Sequence, residues 1–392
     1  MDGLVEHGRG VAGLAAPREG GGLRQRLRAL AHQRRIPLRA EIELTRRCNL
    51  RCRHCYLPPA GDGRSEMDVG DVLRLLAGLR EQGCLSVILT GGEVLLLGER
   101  FFAVAEAVRA NDMVLSVITN GTLWDQSAAE RLACLGVSAV TVSLYAADAA
   151  RHDAVTGVPG SFARTVAGIR ALVAAGVRCH VSSVLMVDTI DGFRAVRDLA
   201  TGLGCEVSFD PTVAPRCDGS LDVLRYRVPA ERLLEFYRDE WVLPRTREGA
   251  LVSPAAGGAG RPTAVERRNC GAGFTSVFID AHGDVLPCMG FPPPFGNIRS
   301  EPFAAVWHGA VAERQRRLME EPLEECAACT VAAFCTTRCP RLALVEDGAL
   351  NGASRRACEM TGMVLRLRAA LRDSDPTAAT WPPALAAAGA GD

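Results

Sequence analysis

Neither sign of charge prevails in this sequence: 45 Lys and Arg stand against 45 Asp and Glu. A basic face for nucleic acid or for an anionic membrane surface is therefore not expected. No charge-free apolar run reaches the length that spans a bilayer. The opening MDGLVEHGRG carries acids and lacks the apolar segment of a secretory signal. These absences predict a cytoplasmic protein with neither a membrane nor a nucleic acid as partner. The 48% of hydrophobic residues in 392 fits a soluble globular enzyme of one large domain or two ordinary ones.

What the chain does have is cysteine, fifteen of them. A cytosolic compartment keeps thiols reduced, so this number is not explained by disulfides. Cysteines at short fixed spacings in such a chain read as metal or cluster ligands, and composition leaves zinc and iron–sulfur both open.

Residues 1–37 are rich in Gly, Arg and Ala and read as an extension ending in one amphipathic helix over Leu23–Gln33. From Leu38 apolar, β-branched runs alternate with helical periodicity. The runs are Glu41–Thr45, Leu85–Thr90, Val114–Thr119, Val137–Leu144, Cys179–Met186 and Glu206–Phe209. Between them the spacing predicts helices over Asp68–Glu81, Arg100–Ala110, Ala128–Leu135, Phe162–Ala175 and Ile190–Leu203, several of them stopping at a glycine. Serial strand–helix units imply an α/β fold with parallel strands and right-handed crossovers, as an open sheet or a barrel. Either way ligands bind at the C-terminal ends of the strands. This core is expected over 38–244. A Gly/Ala/Pro-rich linker follows at 245–268, then a cysteine-dense domain at 269–373 and an Ala/Pro-rich tail at 374–392, read as disordered.

Directly after the first run comes TRRCNLRCRHCY, with Cys48, Cys52 and Cys55 spaced CxxxCxxC. Three thiolates on one loop can hold three corners of a [4Fe–4S] cube and leave one iron open to activate a ligand. The competing reading, a structural zinc site, wants a fourth ligand, and His54 beside Cys55 is poorly placed to close a tetrahedron. Here the sequence resembles the radical S-adenosylmethionine superfamily, whose signature is this spacing followed by an aromatic, here Tyr56. The resemblance implies a partial (β/α)6 TIM-type barrel. It also implies S-adenosyl-L-methionine chelated to the open iron, and reductive cleavage to an adenosyl radical that abstracts hydrogen from a substrate. By the same resemblance Gly91, Gly92 and Glu93, in TGGE at the second strand end, hold the methionine amino group. Asn120 in TNGT, Ser143 in TVSLYA, and Ser183 or Leu185 on the fifth strand lie near the nucleoside and methionine carboxylate.

The C-terminal segment has Cys270, twelve residues, Gly283, four residues and Cys288. It resumes as Cys326-x2-Cys329-x5-Cys335-x3-Cys339 and ends with Cys358. Seven cysteines divide awkwardly into zinc sites of four thiolates each. The order resembles the SPASM domain that follows many radical enzymes. That resemblance implies two auxiliary [4Fe–4S] clusters, one on Cys326, Cys329, Cys335 and Cys358, the other on Cys270, Cys288 and Cys339. IDAHGDVLPC and FGNI look like that domain's hairpin, delivering Cys288. The second cluster is one ligand short. Either its fourth iron is open, or another residue such as Cys217, just past the sixth strand, fills the place. Cys84, Cys134, Cys179 and Cys205 sit in apolar helices and strands and read as small buried hydrophobes.

SPASM-containing enzymes mostly oxidise residues in peptides. Sulfatase maturases carry an acid right after the second cysteine of the domain, where this chain has Met289. The expected substrate is a ribosomally made precursor peptide. The 36-residue extension is too short for a leader-binding domain, so a separate leader-binding protein or the barrel itself would hold the leader. A low-potential donor such as a flavodoxin or ferredoxin would supply electrons. The alternative is a small metabolite or a cofactor precursor such as a tetrapyrrole. Asp210 and Arg216 follow the sixth strand and are candidate substrate contacts.

Overall fold

A computed structural model describes residues 23–59, 63–239, 241–242, 270–321, 326, 339–350 and 352–363. Each apolar run forms a strand: β1 (Arg39–Glu43), β2 (Ser86–Thr90), β3 (Val114–Thr119), β4 (Ala139–Ser143), β5 (Cys179–Val184) and β6 (Glu206–Asp210). They pair in parallel in the order β6-β5-β4-β3-β2-β1. The intervening helices are α2 (Val69–Glu81), α3 (Glu99–Ala110), α4 (Gln126–Cys134), α5 (Ala149–Thr156), α6 (Ser161–Ala174) and α7 (Phe193–Gly202), with α1 (Leu23–Gln33) before them and α8 (Ala230–Arg238) after. This is the expected partial (β/α)6 barrel. Among the described residues β6 remains an edge and the ring does not close.

Strand periodicity sends alternate side chains to opposite faces. Ala40, Ile42, Val87, Leu89, Leu115, Val117, Val140, Val142 and Val181 pack against the helices and are buried. Each valine, leucine or isoleucine so buried contributes roughly 1.5–3 kcal/mol. The other face carries Glu41, Ser116, Thr141, Ser143, His180, Ser182 and Ser208, all only half-buried. Ile88, Ile118 and Val184 share that face, and this mixed, largely polar surface is the wall of the barrel.

Residues 270–321 do not form a detached module. β7 (Ser276–Ile279) pairs in parallel with β1, Arg39 opposite Ser276 through Ile42 opposite Ile279, and so extends the barrel sheet on the side away from β2. β8 (Asp284–Leu286) and β9 (Gly296–Asn297) follow antiparallel, as the hairpin reading of 279–288 and 295–298 requires. α9 (Phe303–Trp307), α10 (Ala310–Glu320) and α11 (Pro340–Asp347) come after them. The whole of the expected linker, the expected tail, Cys329 and Cys335 lie outside the described residues.

α5 was not expected, because its eight residues AARHDAVT bury a histidine and a threonine instead of an apolar stripe. Its His152 is 1% exposed and accepts from Tyr145 N through Nδ1 (3.3 Å), which requires a neutral ring. Burial lowers its pKa to about 4. The unfolded chain therefore binds a proton that the fold refuses. His152 is expected to leave stability intact above pH 6.5 and to withdraw it as pH falls toward 4, by up to about 3 kcal/mol. Urea titrations of the wild type and His152→Phe across that window check this, the variant having the shallower pH slope.

Candidate functional site

The chain between β1 and α2 carries Cys48, Cys52 and Cys55, and nearly every strand end contributes to holding it. At β2 the backbone of TGGE lies directly on the cysteine loop: Gly92 N donates to Thr45 O (2.7 Å) and Glu93 N to Arg47 O (2.9 Å). A Cβ at Gly91 would stand 2.5 Å from Thr45 O, and one at Gly92 would stand 2.3 Å from Arg47 O. The close approach these glycines permit is thus to the chain's own loop. Glu93 is 1% exposed and caps the turn Val94–Leu97 through Leu95 N (3.2 Å). It also accepts from Thr119 Oγ1 (2.8 Å) and Asn120 N (2.8 Å), which ties the β2 end to the β3 end. Burial pushes its carboxyl pKa up.

Asn120 reaches the cysteine loop, donating from Nδ2 to Asn49 Oδ1 (2.9 Å) and to Cys48 Sγ (3.7 Å). Leu50 N also donates to Cys48 Sγ (3.4 Å). At the β4 end the buried Tyr145 lies beside Ser143 and Cys52, its ring edge-on to His54 (centroids 4.7 Å apart). Behind the loop Arg51 N and Arg53 N donate to Thr156 O (2.8 Å) and Val155 O (3.1 Å) at the end of α5. The Tyr56 hydroxyl donates to Glu43 Oε2 (3.1 Å). Glu43 in turn accepts from Arg46 Nε (3.1 Å) and from Ala281 N (3.3 Å) in the β7–β8 turn, while Arg46 Nη2 reaches Asp280 (2.9 Å). The cysteine loop and the C-terminal hairpin therefore share one buried carboxylate.

Burial raises the pKa of Cys48, Cys52 and Cys55; Cys55 and Cys48 raise Cys52 further, to about 12, and Cys48 also raises Cys55. Bare thiolates would repel one another there. N–H donors aimed at Cys48 Sγ and the nearby Arg216 cation suit an anionic thiolate cluster. Among the described residues no three candidate ligands converge on one point, as a single zinc would need. A cube instead gives each thiolate its own iron. The donor set fits a [4Fe–4S] cluster. Cys270, Cys288 and Cys339 form a second group of mutually interacting thiols, Cys270 just before β7, Cys288 after β8 and Cys339 capping α11. Cys326 and Cys358 are described, their proposed co-ligands Cys329 and Cys335 are not.

Several sequence expectations shift. Ser183 and Leu185 are 1% exposed on the helix-covered face, Ser183 opposite Phe209. The inner-face serine on β5 is Ser182, opposite Ser143. Arg216 does not offer its guanidinium to a substrate. Nη1 donates to Cys55 O (2.7 Å) and Leu57 O (2.9 Å), and Nε and Nη2 pair with Asp222 (2.7 and 3.0 Å). It is a strut under the cysteine loop. Asp210 does sit at the solvent-reached end of β6, its carboxylate accepting from Thr212 N (2.8 Å). Cys84, Cys179 and Cys205 are buried as expected, but Cys134 is exposed on α4 because it falls on the helix's outer side. Glu41 and Tyr145 escaped the sequence reading. The alternation of β1 could have flagged Glu41 as inward-facing. Arg216→Met is expected to leave the Cys55 and Leu57 carbonyls unpaired, costing about 3 kcal/mol. Anaerobic thermal unfolding should show a lower Tm, and reconstitution a loss of iron from the first site.

Residues 42–200 match the family model of the radical SAM superfamily, and residues 270–330 match the SPASM model, an iron–sulfur cluster-binding domain. An AdoMet-dependent heme synthase of Nitratidesulfovibrio vulgaris is 28% identical over 319 residues, 75% of this chain and 84% of that protein. The antilisterial bacteriocin subtilosin biosynthesis protein AlbA of Bacillus subtilis is 27% identical over 290 residues, 71% of this chain and 61% of AlbA. The structure of Streptococcus suis SuiB bound to precursor peptide SuiA aligns with a TM-score of 0.64 at 20% identity, covering 86% of this chain and 80% of SuiB. Fold, thiol groups and both family models agree: the chain belongs to the radical S-adenosylmethionine superfamily, with a SPASM domain behind its barrel, and is an enzyme of [4Fe–4S] clusters and S-adenosylmethionine.

Proposed function

We propose that this enzyme abstracts hydrogen from a ribosomally made peptide and oxidises it, forming a cross-link, a thioether or a related bond. The observation that carries this reading is the charge of the inner face. Its ionisable side chains beyond Arg39 are the acids Glu41, Glu43, Glu206 and Asp210 and one histidine, His180, among serine and threonine hydroxyls. Arg39, at the opposite end of β1, is the arginine or lysine among the inward strand positions. Glu43 is already paired with Arg46, but a propionate-bearing tetrapyrrole would still have to approach the acids Glu41 and Asp210, which costs free energy at close range where they are ionised. A peptide, with a neutral backbone and side chains that are neutral or cationic, finds hydrogen-bond partners instead.

In this proposal Cys48, Cys52 and Cys55 hold the first cluster, which supplies the electron that cleaves S-adenosylmethionine. The chain's own part is positioning. Glu93 fixes the β2 and β3 ends, Asn120 and Tyr145 orient the cysteine loop, and Ser143 and Ser182 face the cavity with Asp210 at its rim. A flavodoxin or ferredoxin would deliver electrons, and a separate leader-binding protein or the barrel itself would hold the leader. AlbA's role in bacteriocin synthesis and SuiB's complex with its precursor peptide support the peptide reading. The heme synthase likeness over 84% of that protein's length favours the tetrapyrrole alternative.

Anaerobic co-expression with each short peptide encoded beside the gene separates them by mass spectrometry. Loss of two hydrogen masses from one peptide is the expected result. Unchanged peptides, together with a mass change in an added propionate-bearing iron tetrapyrrole, would overturn the proposal.

A further inference from the structure

We propose that Cys217 is the fourth protein ligand of the auxiliary cluster assigned to Cys270, Cys288 and Cys339. The inference rests on that ligand assignment and is independent of the substrate. Three thiolates leave one iron of a cube without a protein ligand, so the question is whether a fourth donor stands in the right place.

The segment after β6 is fixed where it passes the cysteine loop. Cys217 N donates to Tyr56 O (2.9 Å), next to the Arg216 strut. From there the Cys217 thiol turns toward the hairpin. A Cβ built on Gly290, two residues beyond Cys288, would lie 2.9 Å from Cys217 Sγ and 3.0 Å from Arg341 Nη2. Gly290 also holds a φ of +60°, so the absent side chain makes room for that sulfur. Arg341, two residues beyond Cys339, is 5% exposed. It donates from Nε to Gly290 O (3.0 Å) and from Nη2 to Pro215 O (2.7 Å). One buried guanidinium thus joins the segments that carry Cys217, Cys288 and Cys339. A bidentate pair from Arg227 to Glu346 (2.8 Å twice) docks α11 on the same post-β6 segment.

The remaining spare cysteines have other places. Cys84 Sγ donates to Ser86 O (3.3 Å), Cys179 and Cys205 are buried in the core as free thiols, and Cys134 faces solvent. Among the described residues the Cys217 thiol, half-buried and free of any disulfide, takes no hydrogen bond. With Cys217 as ligand, all four irons of that cluster are tied to protein. A cluster so held would have no open iron to offer a substrate.

The test uses the full chain carrying Cys48→Ala, Cys52→Ala and Cys55→Ala, which removes the first site and isolates the auxiliary ones. After anaerobic reconstitution it should hold about eight irons, and its dithionite-reduced EPR spectrum should not respond to cyanide. Adding Cys217→Ala should either make one signal cyanide-sensitive or remove about four irons while the other auxiliary signal persists. A cyanide shift before Cys217 is changed would overturn the proposal without any further variant, so it stays decidable if Cys217→Ala does not fold. Unchanged iron, spectrum and cyanide response in folded Cys217→Ala would also overturn it. A parent chain holding only about four irons would sink the two-cluster assignment itself, and Cys217 with it.

Discussion

Gly92→Ala is expected to empty the first cluster site and to lower 5′-deoxyadenosine formation by about a hundredfold or more. A Cβ there would stand 2.3 Å from Arg47 O, 2.6 Å from Arg47 C and 2.8 Å from Arg46 O. All three are backbone atoms, so no flexible side chain can yield. Either the TGGE turn or the cysteine loop must move by something near an ångström, and Cys48 is the very next residue. Displacements of that size at reacting groups cost about two orders of magnitude in rate. The hydrogen bonds Gly92 N to Thr45 O and Glu93 N to Arg47 O hold the same two strand ends and would break with the shift. Iron and sulfide analysis after anaerobic reconstitution should show about four irons lost and the auxiliary irons retained. Gly202→Ala, with nothing within 4 Å of its added methyl, serves as the control and should match the wild type. If Gly92→Ala keeps a full iron count and normal turnover, the tight packing of TGGE on the cysteine loop is not what the glycine is for.

That glycine also marks where the sequence was readable and where it was not. All six strands were legible because each is an apolar run bounded by a helix of clear period, and CxxxCxxC lies on one loop. The features that escaped are long-range. Nothing local says that Gly92 touches Arg47, 45 residues earlier, or that β7 pairs with β1 across more than 200 residues. Arg216 looked like a free cation after a strand. Its partners are carbonyls of Cys55 and Leu57, reachable only once β6 stands beside the barrel mouth. Choosing Ser183 over Ser182 is a different failure. Both follow the same apolar run, and a slip of one residue along a strand moves the side chain to the opposite face. α5 was missed because what it buries is partly polar: His152 and Thr156 serve Tyr145 and the cysteine loop and add little to the apolar core.

Glu93→Ala should damage both stability and cofactor binding, and the pairing of those effects is the point. The buried carboxylate accepts from Leu95 N, Thr119 Oγ1 and Asn120 N. Truncation leaves three donors without an acceptor in a site water barely reaches, at about 1–3 kcal/mol each. A loss of about 4 kcal/mol or more in urea unfolding is therefore expected. Asn120 is released at the same time, and with it the Nδ2 contacts to Asn49 and Cys48. Binding of S-adenosylmethionine, followed by the change it causes in the cluster's EPR signal, should weaken at least about tenfold, or 1.4 kcal/mol. Glu93→Gln keeps one acceptor oxygen but sets an amide N–H against a backbone N–H, so it should fall between the wild type and alanine in both measurements. A carboxylate whose main task was to meet the methionine ammonium group would behave otherwise. Both variants would then lose affinity alike and neither would lose much stability. The geometry predicts the first pattern, because Glu93 reaches the cofactor's surroundings through Thr119 and Asn120.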